Sequence, residues 1–429
     1  MTAFGPCLQA VVLVGGLGTR LGSLTRDCPK PLLEVAGKPF LDHLLFELAR
    51  HGFRRVLLLC GHQADKVAAL YGQGRALHPD LPLEITLVRE PEPAGTGGAL
   101  TFARDLLDDR FLLLNGDSLF AFNFLDLLSV ARAEAAAEAP LAAVALRRID
   151  EASRFGVVGL SGARITAFSE RPQRPGPGLI NGGVYWMRRE ILAHLGPLPC
   201  SLERDVFPRL ARDGRLAGRV YQGFFHDIGQ PRALAEAQAL IPAFLTRPAA
   251  FLDRDGVVNL DHGYVHKAEQ FDWAPEAVAA IKALNDAGRY VFVVTNQAGV
   301  GRGYYQEEDV RALHRWMQAQ LRPQGAHIDA FRFCPHHPTE GKGRYLKACA
   351  WRKPGPGMLR DLMAHWPVDR DKSFLVGDNA SDLQAGKAAA LPQVYLARSG
   401  LSLDLVARGI AQRAGPAGTA EKARDASEG

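Results

Sequence analysis

The chain has 429 residues, of which 47% are hydrophobic and 23% charged, with a formal net charge of +5. That length allows two ordinary domains, each with its own core, and no apolar run approaches the ~18 residues a membrane helix needs. Six cysteines in so long a chain exclude a disulfide framework, and no basic run interleaved with aromatics points to nucleic acid. The opening segment, MTAFGPCLQAVVLVGG, lacks the basic start of a secretion signal, so a cytoplasmic location is expected.

In chain order, short apolar runs alternate with helical stretches. LQAVVLV (8–14), RVLLLC (55–60), ITLV (85–88) and FLLLNGD (111–117) read as buried strands, with helices over 39–51 and 64–71. Such alternation predicts a parallel sheet flanked by helices. Residues 141–240 add two-residue alternation, as in ARITAFSE, which predicts some antiparallel strands. The pattern restarts at AAFLDRDG (249–256), a strand ending in acidic residues. A helix is expected over 275–288, with Pro275 in its first turn and Gly288 past its end. A strand over 289–297, a helix over 307–321 and a strand over 372–378 complete a second α/β domain. The expected domains are 1–244 and 248–412, joined at a short seam near 242–249 that Pro242 and Pro248 mark. The small, polar stretch 413–429 is expected to be a disordered tail.

In open α/β sheets ligands bind at the carboxyl ends of strands, and the notable polar clusters all follow strand-like runs. The first is GGLGTRL, with Gly15, Gly16, Gly18, Thr19 and Arg20, followed by Lys30 in CPKPLLEVAGKP. A glycine turn after a strand lets backbone N–H groups approach phosphate oxygens. The spacing is neither GxGxxG nor a Walker loop. Arg20 and Lys30 beside such a cradle suit a triphosphate whose charge must be neutralised.

These residues resemble the signature of the sugar-1-phosphate nucleotidyltransferases, and further landmarks follow in order over about residues 8–240. AGTGGAL (94–100), with Gly95 and Thr96, is similar to the loop that faces the nucleotide base. NGDS supplies Asp117 and HDIG supplies Asp227, which the resemblance implies as the two magnesium carboxylates. FSERP supplies Glu170, with Arg171 where lysine is usual, and INGGVY supplies Asn181; both resemble sugar-contacting segments. The implied fold is a Rossmann-like mixed sheet, and the implied reaction joins a nucleoside triphosphate to a sugar 1-phosphate with release of pyrophosphate.

The second cluster is LDRDGVVN, where two carboxylates two residues apart can divide labour, Asp253 as nucleophile and Asp255 as general acid/base. Thr295 and Asn296 end the next strand, Arg352 and Lys353 lie downstream, and GDNASD carries Asp378. This set resembles the haloacid-dehalogenase-type phosphatases over 249–400, which implies a parallel sheet, an aspartyl-phosphate and Mg²⁺ on Asp253, the Asp255 carbonyl and Asp378. DRDGVVNLDHGYVHK, TNQAGVGRG, CPHHP and WRKPGPGM are similar to the D-glycero-D-manno-heptose 1,7-bisphosphate phosphatases, with histidinol-phosphate phosphatases as neighbours. By that likeness Asp261, His262, Gly263 and Tyr264 line the substrate entrance and Arg352 meets a distal phosphate or hydroxyl. The subgroup's zinc loop is matched at Cys334, His336 and Cys349, whereas the last ligand position holds Trp351, which leaves open a zinc site or a loop that has lost its metal and packs on Trp351.

INGGVY, SLERDVFP (201–208) and HDIG also resemble the heptose 1-phosphate guanylyltransferases. Together the halves imply consecutive steps toward a nucleotide-activated heptose, with sugar phosphates and a nucleoside triphosphate as small-molecule partners. The motifs leave open the base, the sugar, self-association, a histidinol-phosphate-type phosphatase, and a first domain that only senses a sugar nucleotide.

Overall fold

The computed structural model describes residues 8–16, 18–130, 139–152, 156–169, 176–397, 403 and 407. It divides into two compact units, Met1–Thr246 with Ala319–Asp329, and Arg247–Gln318 with Ala330–Gly429. Glu170 and the stretch 413–429 lie outside the described residues.

The first unit is built on a nine-stranded mixed sheet. Leu8–Leu13 lies between Phe53–Cys60 and Arg110–Asn115 and pairs with both in parallel. Successive side chains on these strands point to opposite faces. Val12, Leu58, Leu112 and Leu114 therefore enter one core, and Val11, Leu57, Leu59 and Leu113 enter the other. Burial on both faces explains why the runs are continuously apolar, and each such side chain contributes roughly 1.5–3 kcal/mol. Gly178–Arg188 pairs antiparallel with Arg110–Asn115 and Ala142–Ile149, and Arg164–Ser169 with Val157–Ser161. The alternation in ARITAFSE thus marks an antiparallel pair.

The second unit holds a five-stranded, wholly parallel sheet in the order Ala330–Cys334, Tyr290–Asn296, Ala249–Leu252, Phe374–Gly377, Gln393–Leu396. Ala249–Leu252 is central, so the residues that follow it meet those ending both neighbours. Two local expectations are corrected. The helix expected over 275–288 runs over Ala277–Asp286, because Glu276 takes a left-handed conformation (φ 60°) that cannot continue a helix, and Pro275 precedes it. Gly288 (φ 74°) does follow its end. Pro242 does not mark a seam, because it lies inside the helix Pro231–Leu245. No described helix is long and apolar enough to cross a membrane.

Candidate active sites

In the first unit, the chain leaves Leu8–Leu13 at the point where strand order diverges to either side, the crevice in which open α/β sheets bind ligands. The loop is shaped by its glycines. At Gly15 a β-carbon would come 2.9 Å from both Glu90 Oε1 and Gly61 N, and Gly18 has φ +62°. Gly16 is open, with nothing within 4 Å of an added β-carbon, which leaves its backbone accessible. Thr19 and Arg20 are exposed at the start of the next turn. Arg20 has no hydrogen bond or ion pair to a described residue, so its guanidinium is available to a ligand.

The structure brings the expected metal carboxylates together. Ser118–Phe120 pairs antiparallel with Phe225–Asp227, which sets Asp227 opposite Ser118. Ser118 Oγ lies 3.2 Å from Asp117 Oδ1 and 2.8 Å from Asp227 Oδ2. Gly229 N donates to Asp227 Oδ1 at 2.7 Å. Lys30, itself buried, is 2.6 Å from Asp117 Oδ2. Asp117, Asp227, Gly229 and Lys30 line one cleft of about 340 Å³ with Gly16, Gly18, Arg20 and Thr96. Two carboxylates converging on one hydroxyl, at the mouth of a phosphate-sized cradle, fit a divalent cation with oxygen ligands.

Asn181 and Thr96 meet in an adjoining cleft through a residue not anticipated from the sequence, Glu203. Thr96 Oγ1 donates to Glu203 Oε2 at 2.6 Å and Ser201 Oγ to the same oxygen at 3.0 Å. Tyr185 OH donates to Glu203 Oε1 at 3.2 Å and accepts from Asn181 Nδ2 at 2.7 Å. Burial, followed by the Glu203 charge, holds the Tyr185 phenol well above its ordinary pKa and so protonated. The glycines of INGGVY create a register shift between Asn181 and Tyr185 that re-aims Asn181. Gly95 begins the helix Gly95–Phe102 at φ +78°, and a β-carbon there would lie 2.5 Å from Cys200 O.

In the second unit, Asp253 follows the central strand and its N–H donates to Val376 O at 2.9 Å. Asp253, Asp378 and Asp382 present oxygens within 4.8 Å of one another. Asp382 was not singled out from the sequence; its signal is the capping pattern N-x-x-D, in which Asn379 caps the helix Ala380–Ala388 and Asp382 lies in its first turn. Lys353, 4% exposed, lies 2.7 Å from Asp253 Oδ2 and 2.6 Å from Asp382 Oδ1, and donates to Val294 O at 3.0 Å. Asn296 holds the Lys353 backbone from both sides, at 3.0 and 3.1 Å. Burial pushes the Asp253 carboxyl up to about 7 against the pull of Lys353. For Lys353, burial pulls down, but Asp253 and Asp382 more than offset it and its pKa is raised. Burial also raises Asp378. Three carboxylates around a single ammonium leave an excess of negative charge, which fits a divalent cation.

Asp255 is fixed in place. Arg254 Nη2 is 2.9 Å from both its oxygens, Asn259 Nδ2 donates to Oδ1 at 3.0 Å and Gln297 Nε2 to Oδ2 at 2.9 Å. Gln297 also donates to Thr295 Oγ1 at 2.9 Å and accepts from Tyr305 OH at 2.8 Å, so Thr295 is part of the same network. Gly256 (φ +83°) must be glycine, because a β-carbon would fall 2.2 Å from Asp378 Oδ2. Asp261, His262, Gly263 and Tyr264 form an exposed loop in which Gly263 N donates to Asp261 Oδ1 at 2.9 Å and His262 Nε2 meets Asp272 Oδ2 at 2.8 Å. Arg352 Nη1 donates to His336 O at 3.2 Å.

Cys334, His336 and Cys349 also converge, with donor atoms within 4.8 Å. Burial raises the Cys334 thiol to about 12 and lowers His336, which leaves the imidazole neutral and able to ligate. Three donors fit zinc; the fourth that a closed structural site requires is not supplied by Trp351.

Residues 9–243, over half of the chain, match the family described as Nucleotidyl transferase, and residues 250–394 match Polynucleotide kinase 3 phosphatase. A D-glycero-beta-D-manno-heptose-1,7-bisphosphate 7-phosphatase of Rhodopseudomonas palustris is 58% identical over 146 residues, which are 34% of this chain and 81% of the relative. The chain belongs to two families, the nucleotidyl transferases and the heptose-bisphosphate 7-phosphatases. The beta catalytic subunit of mannose-1-phosphate guanylyltransferase from Danio rerio is 36% identical over 230 residues, 52% of this chain and 62% of that protein. A crystal structure of HddC from Yersinia pseudotuberculosis shares 27% identity, with a TM-score of 0.47, covering 54% of this chain and 98% of that one. As a nucleotidyltransferase joined to a phosphatase of the haloacid-dehalogenase type, the chain falls in families whose members typically use a divalent metal.

Proposed function

We propose that this chain removes the 7-phosphate of D-glycero-D-manno-heptose 1,7-bisphosphate and then transfers a nucleotidyl group, GMP from GTP, to the resulting heptose 1-phosphate with release of pyrophosphate. The observation that carries the reading is the fusion itself. One half is 58% identical to a heptose-bisphosphate 7-phosphatase, and the other is 36% identical to an enzyme that guanylylates a sugar 1-phosphate. A 7-phosphatase leaves the 1-phosphate intact, and a sugar 1-phosphate is what the first half requires.

In the phosphatase half, Asp253 is the nucleophile. Its carboxylate attacks the 7-phosphorus while Lys353 Nζ, 2.7 Å away, offsets the charge of the incoming phosphate. Asp255, held by Arg254, Asn259 and Gln297, gives a proton to the leaving C7 oxygen and then takes one from the water that opens the aspartyl-phosphate. Asp253, the Asp255 carbonyl and Asp378 would hold Mg²⁺, whose charge permits an anionic nucleophile to approach an anionic phosphate. Asp382 orients Lys353. Arg352 and the loop of Asp261, His262, Gly263 and Tyr264 would receive the rest of the sugar.

In the nucleotidyltransferase half, the backbone of Gly15, Gly16, Gly18 and Thr19 cradles the triphosphate, and Arg20 stabilises the departing pyrophosphate. Lys30 holds the sugar phosphate for in-line attack at the α-phosphorus, where positioning and charge neutralisation dominate. Asp117 and Asp227 would hold Mg²⁺. Gly95 and Thr96 face the base, and Asn181 the sugar.

The test offers each anomer of heptose 1,7-bisphosphate with GTP, ATP, UTP and CTP in turn, and measures phosphate and pyrophosphate separately. Phosphate without any nucleotide, and pyrophosphate only after phosphate and mainly with GTP, is the expected result. Pyrophosphate from mannose 1-phosphate but not from heptose 1-phosphate would reassign the sugar.

A further inference from the structure

The segment from Cys334 to Trp351 carries donor side chains and a pocket that neither proposed reaction uses. Cys334, His336 and Cys349 gather their donor atoms within 4.8 Å, and no other His, Cys, Asp or Glu among the described residues joins the group. The indole of Trp351 offers a donor N–H and no lone pair for a metal. It rests on Gly357, where a β-carbon would come 2.7 Å from Trp351 Cδ1. The neighbouring His337 is not among the converging donors, and its Nδ1 accepts from Glu340 N at 3.0 Å.

The unfilled vertex has a definite environment. His336 and Trp351 both form the wall of a pocket of about 450 Å³, together with Arg311, Arg332, Arg344 and Lys347. Glu307 is shared between Arg311 and Arg344, at 2.7 and 3.2 Å, and Asp361 takes Arg332 at 2.6 Å. The Lys347 ammonium has no hydrogen bond or ion pair to a described residue. Metal binding releases the thiol protons; two thiolates and a neutral imidazole then balance the charge of Zn²⁺, so the surrounding cations decide which fourth ligand is favoured, and they favour an anion.

We infer that this chain binds Zn²⁺ through three protein ligands and one exogenous ligand, a small anion drawn from the basic pocket, so that the ion is exchangeable. The inference rests on the zinc reading of Cys334, His336 and Cys349. Because Arg352 and Lys353 follow this segment directly, the occupied site also sets where the phosphatase's basic residues begin.

The test uses the full chain, stripped of metal and titrated with Co²⁺, whose thiolate charge-transfer band reports only a cysteine-bound ion. The expected result is one such ion per chain, with ligand-field bands that shift when inorganic phosphate is added. Trp351→Cys should close the site, tighten Co²⁺ by ~100-fold or more, given that second-shell partners alone alter affinity ~10–100-fold, and abolish the response to phosphate. Bands that phosphate does not move in the parent chain overturn the inference, whether or not the variant folds. Equal affinity in parent and folded variant does the same. A charge-transfer band absent from both would overturn the zinc reading itself.

Discussion

Replacing Lys353 with methionine isolates what the buried ammonium does for the phosphatase half. Its side chain is 3% exposed and lies 2.7 Å from Asp253 and 2.6 Å from Asp382. Methionine keeps the length but leaves both carboxylates without a cation, with Asp378 close by. Removing one partner of a buried ion pair costs ~3–5 kcal/mol. Two like charges ~4 Å apart add repulsion of about 4 kcal/mol at an effective dielectric of ~20. Protonation of Asp253, whose pKa burial has already pushed to about 7, limits the second contribution. A loss of ~3–5 kcal/mol at pH 7 without metal is therefore expected, a large share of the ~5–15 kcal/mol typical of a folded domain. Urea unfolding in EDTA, followed by tryptophan fluorescence, measures it, because Trp273, Trp316, Trp351 and Trp366 all lie in the second half and only Trp186 in the first. Mg²⁺ at a hundred times its dissociation constant should return ~2.7 kcal/mol. Phosphate release should be lost, and pyrophosphate release from pre-formed sugar 1-phosphate kept. A variant within ~0.5 kcal/mol of the parent, the range of a surface substitution, would refute the view that Lys353 neutralises this cluster.

Four further outcomes are expected. Asp253→Asn should abolish phosphate release and leave nucleotidyl transfer from pre-formed sugar 1-phosphate unchanged, as read by separate phosphate and pyrophosphate assays. Arg20→Ala should slow pyrophosphate release ~10³-fold or more, the lower range for an arginine that stabilises phosphoryl transfer, with unchanged urea unfolding. Gly95→Ala places a side chain at φ +78° and 2.5 Å from Cys200 O; it should cost ~1–3 kcal/mol and raise KM for the nucleotide, measured by urea unfolding and initial rates. Finally, the Asp253 carboxyl is raised in the folded state, from an unfolded value of ~3.9 to about 7. The stability tied to it is complete below the unfolded value and is lost as pH rises through the folded one. Metal-free protein should therefore weaken between pH 4 and 7 more steeply than Asp253→Asn, and Mg²⁺ should flatten that slope; parallel slopes would contradict it.

Much of both folds was legible in sequence because period and chemistry agree there. Continuous apolar runs such as VVLV and FLLL can be buried only between two covered faces, and acidic or glycine-rich residues after them land at the carboxyl ends of parallel strands. Local motifs likewise singled out Asp253 and Asp255, and Lys30 and Asp117, which the fold sets 2.6 Å apart. What escaped was set by long-range packing. Glu203 reads as one charge among several in SLERDVFP, yet the fold uses it to join Thr96 to Tyr185 and Asn181. Gln297 bridges Asp255 and Thr295 only because adjacent strands end side by side. Ala330–Cys334, interrupted by Arg332, gave no strand signal, and its place at the sheet edge came from pairing with Tyr290–Asn296. Residue type and spacing determined which groups could handle phosphate, because that chemistry is local. The tertiary structure alone decided which of them meet, because contact between distant segments depends on strand order and register, which a linear pattern does not contain.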